Sequence, residues 1–145
     1  MSHCSRRSFL EVGARLGLGA MVVSQLPACH GGALDGSVMV SANQAQLTFA
    51  KFPKLQTVGG GVVVDASGTL VAVLRTSDTA ATALSAVCTH EGCTLDYVGG
   101  QAPLNCACHG SEFGADGLVL AGPARTSLHV YAATLGADGV TVTLA

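Results

Sequence analysis

Little of this sequence is charged or aromatic. Of 145 residues only 11% are Asp, Glu, Lys or Arg, aromatic side chains make up 4%, and there is no Trp. Lys and Arg total 7 against 9 acids, a formal net charge of -2, so the basic footprint of a nucleic-acid binder is missing and no DNA or RNA partner is expected. No long segment keeps a 3.6-residue apolar period. The weakly apolar run from Val12 to Leu26 is broken by Gly13, Arg15, Gly17, Gly19, Ser24 and Gln25, too short and too polar for a strong membrane span. What the chain does have is 49% hydrophobic residues, which excludes disorder, and 19 Gly, which with so few aromatics suggests short strands joined by tight turns. The length allows one ordinary domain. Six Cys are an excess for this size and imply metal, disulfides or both.

Residues 1–28 differ from the rest. Ser5-Arg6-Arg7-Ser8-Phe9-Leu10 resembles the twin-arginine export signal, in which an arginine pair is followed one residue later by an apolar pair; Glu11 stands where such signals often carry Lys. Leu26-Pro27-Ala28-Cys29 resembles a bacterial lipoprotein cleavage box, which makes Cys29 a lipidation candidate. The alternative is ordinary cleavage near Ala28 with Cys29 merely adjacent. These resemblances imply a signal peptide over 1–28, a small-residue linker over 29–37 and a domain over 38–145, exported by the twin-arginine route to the periplasmic side and anchored to the membrane. The exported part carries Lys51, Lys54, Arg75 and Arg125 against eight acids, a net charge of about −4 by formal counting.

Beyond the linker, β-branched runs too short for helices recur: Val38 to Val40, Ala45 to Phe49, Gly61 to Val64, Leu70 to Leu74, Leu84 to Val87, Leu118 to Leu120, Leu128 to Leu135 and Val140 to Leu144. Asp65-Ala66-Ser67-Gly68, Asp116-Gly117 and Ala137-Asp138-Gly139 are hairpin signals. The expectation is an all-β domain of small antiparallel sheets, with Thr76 to Ala83 as the place for a short helix or loop. Gly99-Gly100 and the cysteine-bearing segments around them lack strand patterning and are expected to be loops.

Two of those loops carry the chemistry: Cys88-Thr89-His90-Glu91-Gly92-Cys93 and Cys106-Ala107-Cys108-His109-Gly110-Ser111. Each offers thiol and imidazole within a few residues. A Cys2His2 zinc site and a plain disulfide framework are the alternatives, although zinc usually takes a Cys pair from one segment and a His pair from another. C-x-H-x-G-C followed by C-x-C-H-G-S resembles the Rieske iron–sulfur domain, and Gly122-Pro123-Ala124 resembles that family's proline loop, which covers the cluster from a third side. The resemblance implies a Rieske-type all-β fold with a cluster-binding subdomain of two loops. It implies one [2Fe–2S] cluster, with Cys88 and Cys106 on one iron and His90 and His109 on the other, and a disulfide between Cys93 and Cys108, suited to an oxidising compartment. Neutral imidazoles replacing two negative ligands make their iron easier to reduce.

Ser111 matches the family position whose hydroxyl donates toward a bridging sulfur and raises the potential. Phe113 stands where high-potential relatives carry a Tyr that donates to a cysteine sulfur, so one donor is missing. Glu91 replaces the apolar residue that follows the first ligand His in relatives of cytochrome bc complexes, and a carboxylate there favours docking to a polar or basic surface. His129 reads as an ordinary strand residue and His30 as part of the linker. The function implied is one-electron transfer by an exported subunit or carrier, feeding a c-type cytochrome or a periplasmic oxidoreductase. The alternatives are a Rieske subunit of a quinol–cytochrome c reductase (bc) complex, a small subunit of a molybdenum oxidase of the arsenite-oxidase kind and, in another class, a redox- or pH-sensing binding module. A Rieske oxygenase is disfavoured because the 117 residues of 29–145 leave no room for a separate mononuclear iron domain.

Overall fold

The computed structural model describes residues 34–101 and 103–144; the expected export signal, Cys29 and His30 lie outside the described residues. Twelve strands follow one another: β1 (Gly36–Val38), β2 (Val40–Ser41), β3 (Gln44–Thr48), β4 (Gly61–Ala66), β5 (Thr69–Arg75), β6 (Ala81–Ser85), β7 (Asp96–Tyr97), β8 (Leu104–Asn105), β9 (Glu112–Phe113), β10 (Val119–Ala121), β11 (Val130–Leu135) and β12 (Gly139–Thr143), with a single 3-10 turn at Pro53–Gln56 among the described residues. Eight strands form a sheet in the order β1-β4-β5-β6-β11-β12-β3-β2, and four form a smaller one in the order β10-β9-β8-β7. The all-β expectation holds.

The longest hairpin is β4–β5, and its turn explains its register. Ala66 pairs with Thr69, leaving Ser67 and Gly68 at φ 53° and 95°, both in the left-handed region that a two-residue hairpin turn demands. The Asp65 carboxylate accepts the Gly68 N–H at 2.6 Å, which is why an Asp precedes the turn. Both strands are apolar without alternation because both of their faces are covered. Val62, Val64, Val71 and Val73 belong to one buried cluster, with Leu47, Leu55 and Val140. Val63, Ala72 and Leu74 belong to a second, with Leu84, Leu95, Leu104 and Phe113. The second cluster is the one that joins the large sheet to the small one, and it contains Cys88 and Cys106.

Four details depart from expectation. Thr76 to Ala83 holds no helix: the N–H groups of Thr76 and Ser77 close a turn onto the Ala80 carbonyl, and Ala81 to Ala83 already pair with Arg75 to Val73 of β5. The segments flanking the cysteine loops, expected to lack strands, carry the two-residue strands β7, β8 and β9, too short to show any alternation. β1 pairs with β4 in parallel, the exception to antiparallel pairing. Gly36 and Ser37, placed in the linker above, lie in β1, and Asp35 is already engaged: its N–H donates to the Val63 carbonyl and its carboxylate accepts the Val63 N–H at 2.9 Å and meets Lys54 Nζ at 2.6 Å.

At the base of the small sheet the Tyr97 ring lies against the backbone of Gly61, and its hydroxyl donates to the Gly59 carbonyl. A Cβ at Gly61 would stand 2.5 Å from the ring. Gly61→Ala is therefore expected to cost about 1–3 kcal/mol through overpacking at the junction of the two sheets. A urea-unfolding midpoint equal to that of the unaltered protein would count against this junction.

Candidate metal centre

One turn is built twice at the tip of the small sheet. In the first loop the Cys88 N–H donates to the Cys93 carbonyl at 2.8 Å and the Gly92 N–H returns to the Cys88 carbonyl at 2.9 Å. In the second the Cys106 N–H donates to the Ser111 carbonyl and the Gly110 N–H to the Cys106 carbonyl, each at 2.8 Å. Gly92 and Gly110 occupy the same step of the turn with φ of 76° and 77°, a conformation that disfavours any residue with a Cβ. Each loop is held at its neck, by the Val87–Thr94 bridge in one case and by the β8–β9 pairing of Asn105 with Glu112 in the other. The two cysteine-bearing loops expected from sequence are thus two equivalent hairpin tips.

The tips sort their side chains by solvent. Cys88 and Cys106 are 2% and 1% exposed, both thiols are free, and they sit among the apolar side chains of the second core cluster. Burial, and after it the hydrogen-bonding Cys88 thiol, push the Cys106 thiol above its ordinary pKa, while the backbone N–H groups of Cys108 and His109 directed at its sulfur act the other way. Those N–H groups stabilise negative charge on sulfur, the state a metal ligand needs, and ligation would release the thiol protons. His90 and His109 are exposed, their ring centroids 4.9 Å apart and their planes at 84°. Cys93 and Cys108 form the disulfide across the loops, with S–S 2.08 Å and a sequence separation of 15.

A third loop lies over the first two and is tied to both. Its Gly122–Pro123 peptide is cis. Ala124 N–H donates to the Ser111 Oγ at 3.0 Å, and Thr89 Oγ1 donates to the Thr126 carbonyl at 2.6 Å. Ser111 is fully buried; its carbonyl closes its own turn, and its hydroxyl, having accepted from Ala124, keeps its proton to donate. The anchoring roles of Ser111 and Thr89 were not anticipated. For Thr89 the available signal was a hydroxyl residue between two candidate ligands. Phe113 is fully buried in the cluster that holds both thiols.

Among the described residues, donor groups of three within 4.8 Å are His90, Glu91 and His109, all exposed, and Cys93, Cys106 and Cys108, of which only Cys106 is buried, and the sulfurs of Cys93 and Cys108 are spent in the disulfide. Neither group mixes a free thiol with an imidazole. A single tetrahedral ion wants all four donors converging, whereas a thiol pair and an imidazole pair held apart suit two irons with unlike ligands.

Comparison with known proteins agrees: the family model of the Rieske [2Fe-2S] domain matches residues 49–132. The chain belongs to the Rieske family. It is 31% identical to the cytochrome b6-f complex iron-sulfur subunit of Synechococcus sp. (strain JA-3-3Ab), over 94% of this chain and 85% of that one. It is 30% identical to subunit 1 of the same kind from Nostoc sp. (strain PCC 7120), over 95% and 83%. Among solved structures it is similar to the cyanobacterial plasma membrane Rieske protein PetC3 from Synechocystis PCC 6803, with TM-score 0.54 and 29% identity over 66% of this chain and 93% of that one. The ferredoxin of carbazole 1,9a-dioxygenase from Nocardioides aromaticivorans, at 20% identity and TM-score 0.54, shares the fold. The Rieske domain binds one [2Fe–2S] cluster, and this chain is an electron-transfer protein. No helix among the described residues is long and apolar enough to cross a membrane.

The disulfide closes a loop of 15 residues that runs through the β7–β8 hairpin, and it joins the two tips beyond that hairpin's last pair, Asp96 with Asn105. Replacing both partners, Cys93→Ala with Cys108→Ala, is expected to lower stability by about 3 kcal/mol, the loop-closure entropy returned to the unfolded chain. Denaturant unfolding of the oxidised protein checks this, and an unchanged midpoint would deny the clamp.

Proposed function

We propose that Cys88 and Cys106 hold the inner iron of the cluster and His90 and His109 the outer one. The carrying observation is the separation of two buried, free thiols from two exposed imidazoles on one pair of tips. Bound there, a [2Fe–2S] group supplies one-electron chemistry. The chain's own residues set its terms. The cysteine end is kept dry by Leu95, Leu104 and Phe113, and the imidazoles are open to solvent, where a redox partner could reach them. Ser111 Oγ accepts from Ala124 N–H, which fastens the covering loop Gly122-Pro123-Ala124, and its hydroxyl proton is left to donate to a cluster sulfur. Phe113 offers no hydroxyl at the place where a Tyr would donate.

The physiological reading is an exported carrier, delivering electrons between a periplasmic oxidoreductase or quinol-oxidising complex and a c-type cytochrome. Arg6 and Arg7 supply its export signal over 1–28 and Cys29 its candidate lipid anchor, with the domain following a short tether. A second reading, membership of a quinol–cytochrome c reductase type of complex, is favoured by relatives that are cytochrome b6-f iron-sulfur subunits and match over 85% and 83% of their own length. Glu91 and Phe113 weigh toward the first.

Two measurements test the site. His109→Ala should fold, as judged by far-UV circular dichroism, yet lose the visible [2Fe–2S] spectrum; a retained spectrum would refute the ligand set. Phe113→Tyr should raise the reduction potential by placing a donor among the buried thiols. Voltammetry showing no rise would remove the missing phenol as a determinant.

A further inference from the structure

Glu91 follows His90 in sequence but turns to the other tip. Its Oε2 lies 3.6 Å from Nε2 of His109, with side chains 61% and 44% exposed, and among the described residues it makes no such pair with His90. The contact therefore joins the two loops, as the disulfide between Cys93 and Cys108 also does. A carboxylate beside the outer nitrogen of a ligand imidazole orients the ring and strengthens it as a donor. It is also a fixed negative charge next to the place where an electron would arrive.

We infer that Glu91 is a positioning residue for His109: its carboxylate, set beside Nε2, biases the orientation of the ring and keeps the reduction potential lower than a neutral residue would. This rests on the ligand assignment above and goes beyond docking, because it acts with no partner present. The physical sense of the shift is direct. Negative charge at the imidazole end favours the oxidised, more positive state, and electron uptake works against it. Both side chains are exposed, so water and salt limit the effect to the scale of a surface pair.

The experiment is protein-film or solution voltammetry of the purified cluster-loaded protein without a redox partner, in low-salt buffer. Glu91→Gln and Glu91→Leu should keep the visible spectrum and move the potential upward, changing the equilibrium constant for reduction by about two- to fivefold, the range of an exposed ion pair. Asp138→Asn, on the β11–β12 hairpin, should leave it in place. The gap between unaltered protein and Glu91→Gln should close as salt is raised. Variants with an intact spectrum and an unchanged low-salt potential overturn the inference, as does a gap indifferent to salt. Failure of both variants to hold the cluster overturns it as well, since the carboxylate would then serve assembly and not potential. Survival of the spectrum in His109→Ala is a separate outcome that removes the ligand reading beneath it.

Discussion

Two thiols must be kept from water and two imidazoles must be kept in it, on loops of six residues each, and the rest of the domain answers to that demand. A short loop cannot bury a side chain alone. Cys88 and Cys106 are buried because the β4–β5 hairpin is covered on both faces, and the second of its two cores extends through Val63, Ala72 and Leu74 to Leu95, Leu104 and Phe113 at the root of the tips. The apolar sequence of β4 and β5 thus does more than fill the centre of the large sheet. It supplies the dry floor on which the cysteine pair rests, and the small sheet is the thin layer that carries the two tips outward from that floor.

The tips themselves are stiffened by repetition. The same backbone turn, with Gly at its fifth residue, is closed by the same two hydrogen bonds in both loops. Around this common frame the side chains are placed differently: His stands at the third residue of one loop and at the fourth of the other, and the disulfide partners stand at the sixth and the third. Equal backbones with unequal side-chain positions let the loops meet through two different pairs, His90 with His109 and Cys93 with Cys108. The third loop completes the enclosure, since Ser111 holds Ala124 from one tip and Thr89 holds Thr126 from the other. Each tip therefore has a hydroxyl residue committed to the cover.

Much of this was legible beforehand, for reasons tied to particular residues. The candidate ligands Cys88, His90, Cys106 and His109 lie within two six-residue stretches, so their spacing is legible without knowing where either loop sits. The Asp65 to Gly68 turn was legible because an Asp side chain and a Gly in the left-handed region act locally. Strands β7, β8 and β9 were not, because a two-residue strand has no period to display. The extension of β6 back to Ala81 escaped notice since its pairing with β5, and not any preference of Ala-Thr-Ala, makes it a strand. Asp35 to Ser37 looked like tether for a similar reason: small and polar, they are recruited by Val63 and by the parallel edge of β4.

Chemistry carried in neighbouring residues was thus written into the chain: which donors exist, how the two motifs are spaced, where the tight turns fall, and that the core is aliphatic. Pairings across a distance were not. That Glu91 pairs with His109 on the other tip, that Ser111 anchors Ala124, and that Tyr97 locks against Gly61 all depend on how the two sheets meet. The reason is physical. A turn or a ligand spacing is governed by a few adjacent dihedral angles, whereas a contact between loops is governed by the packing of every strand that brings them together.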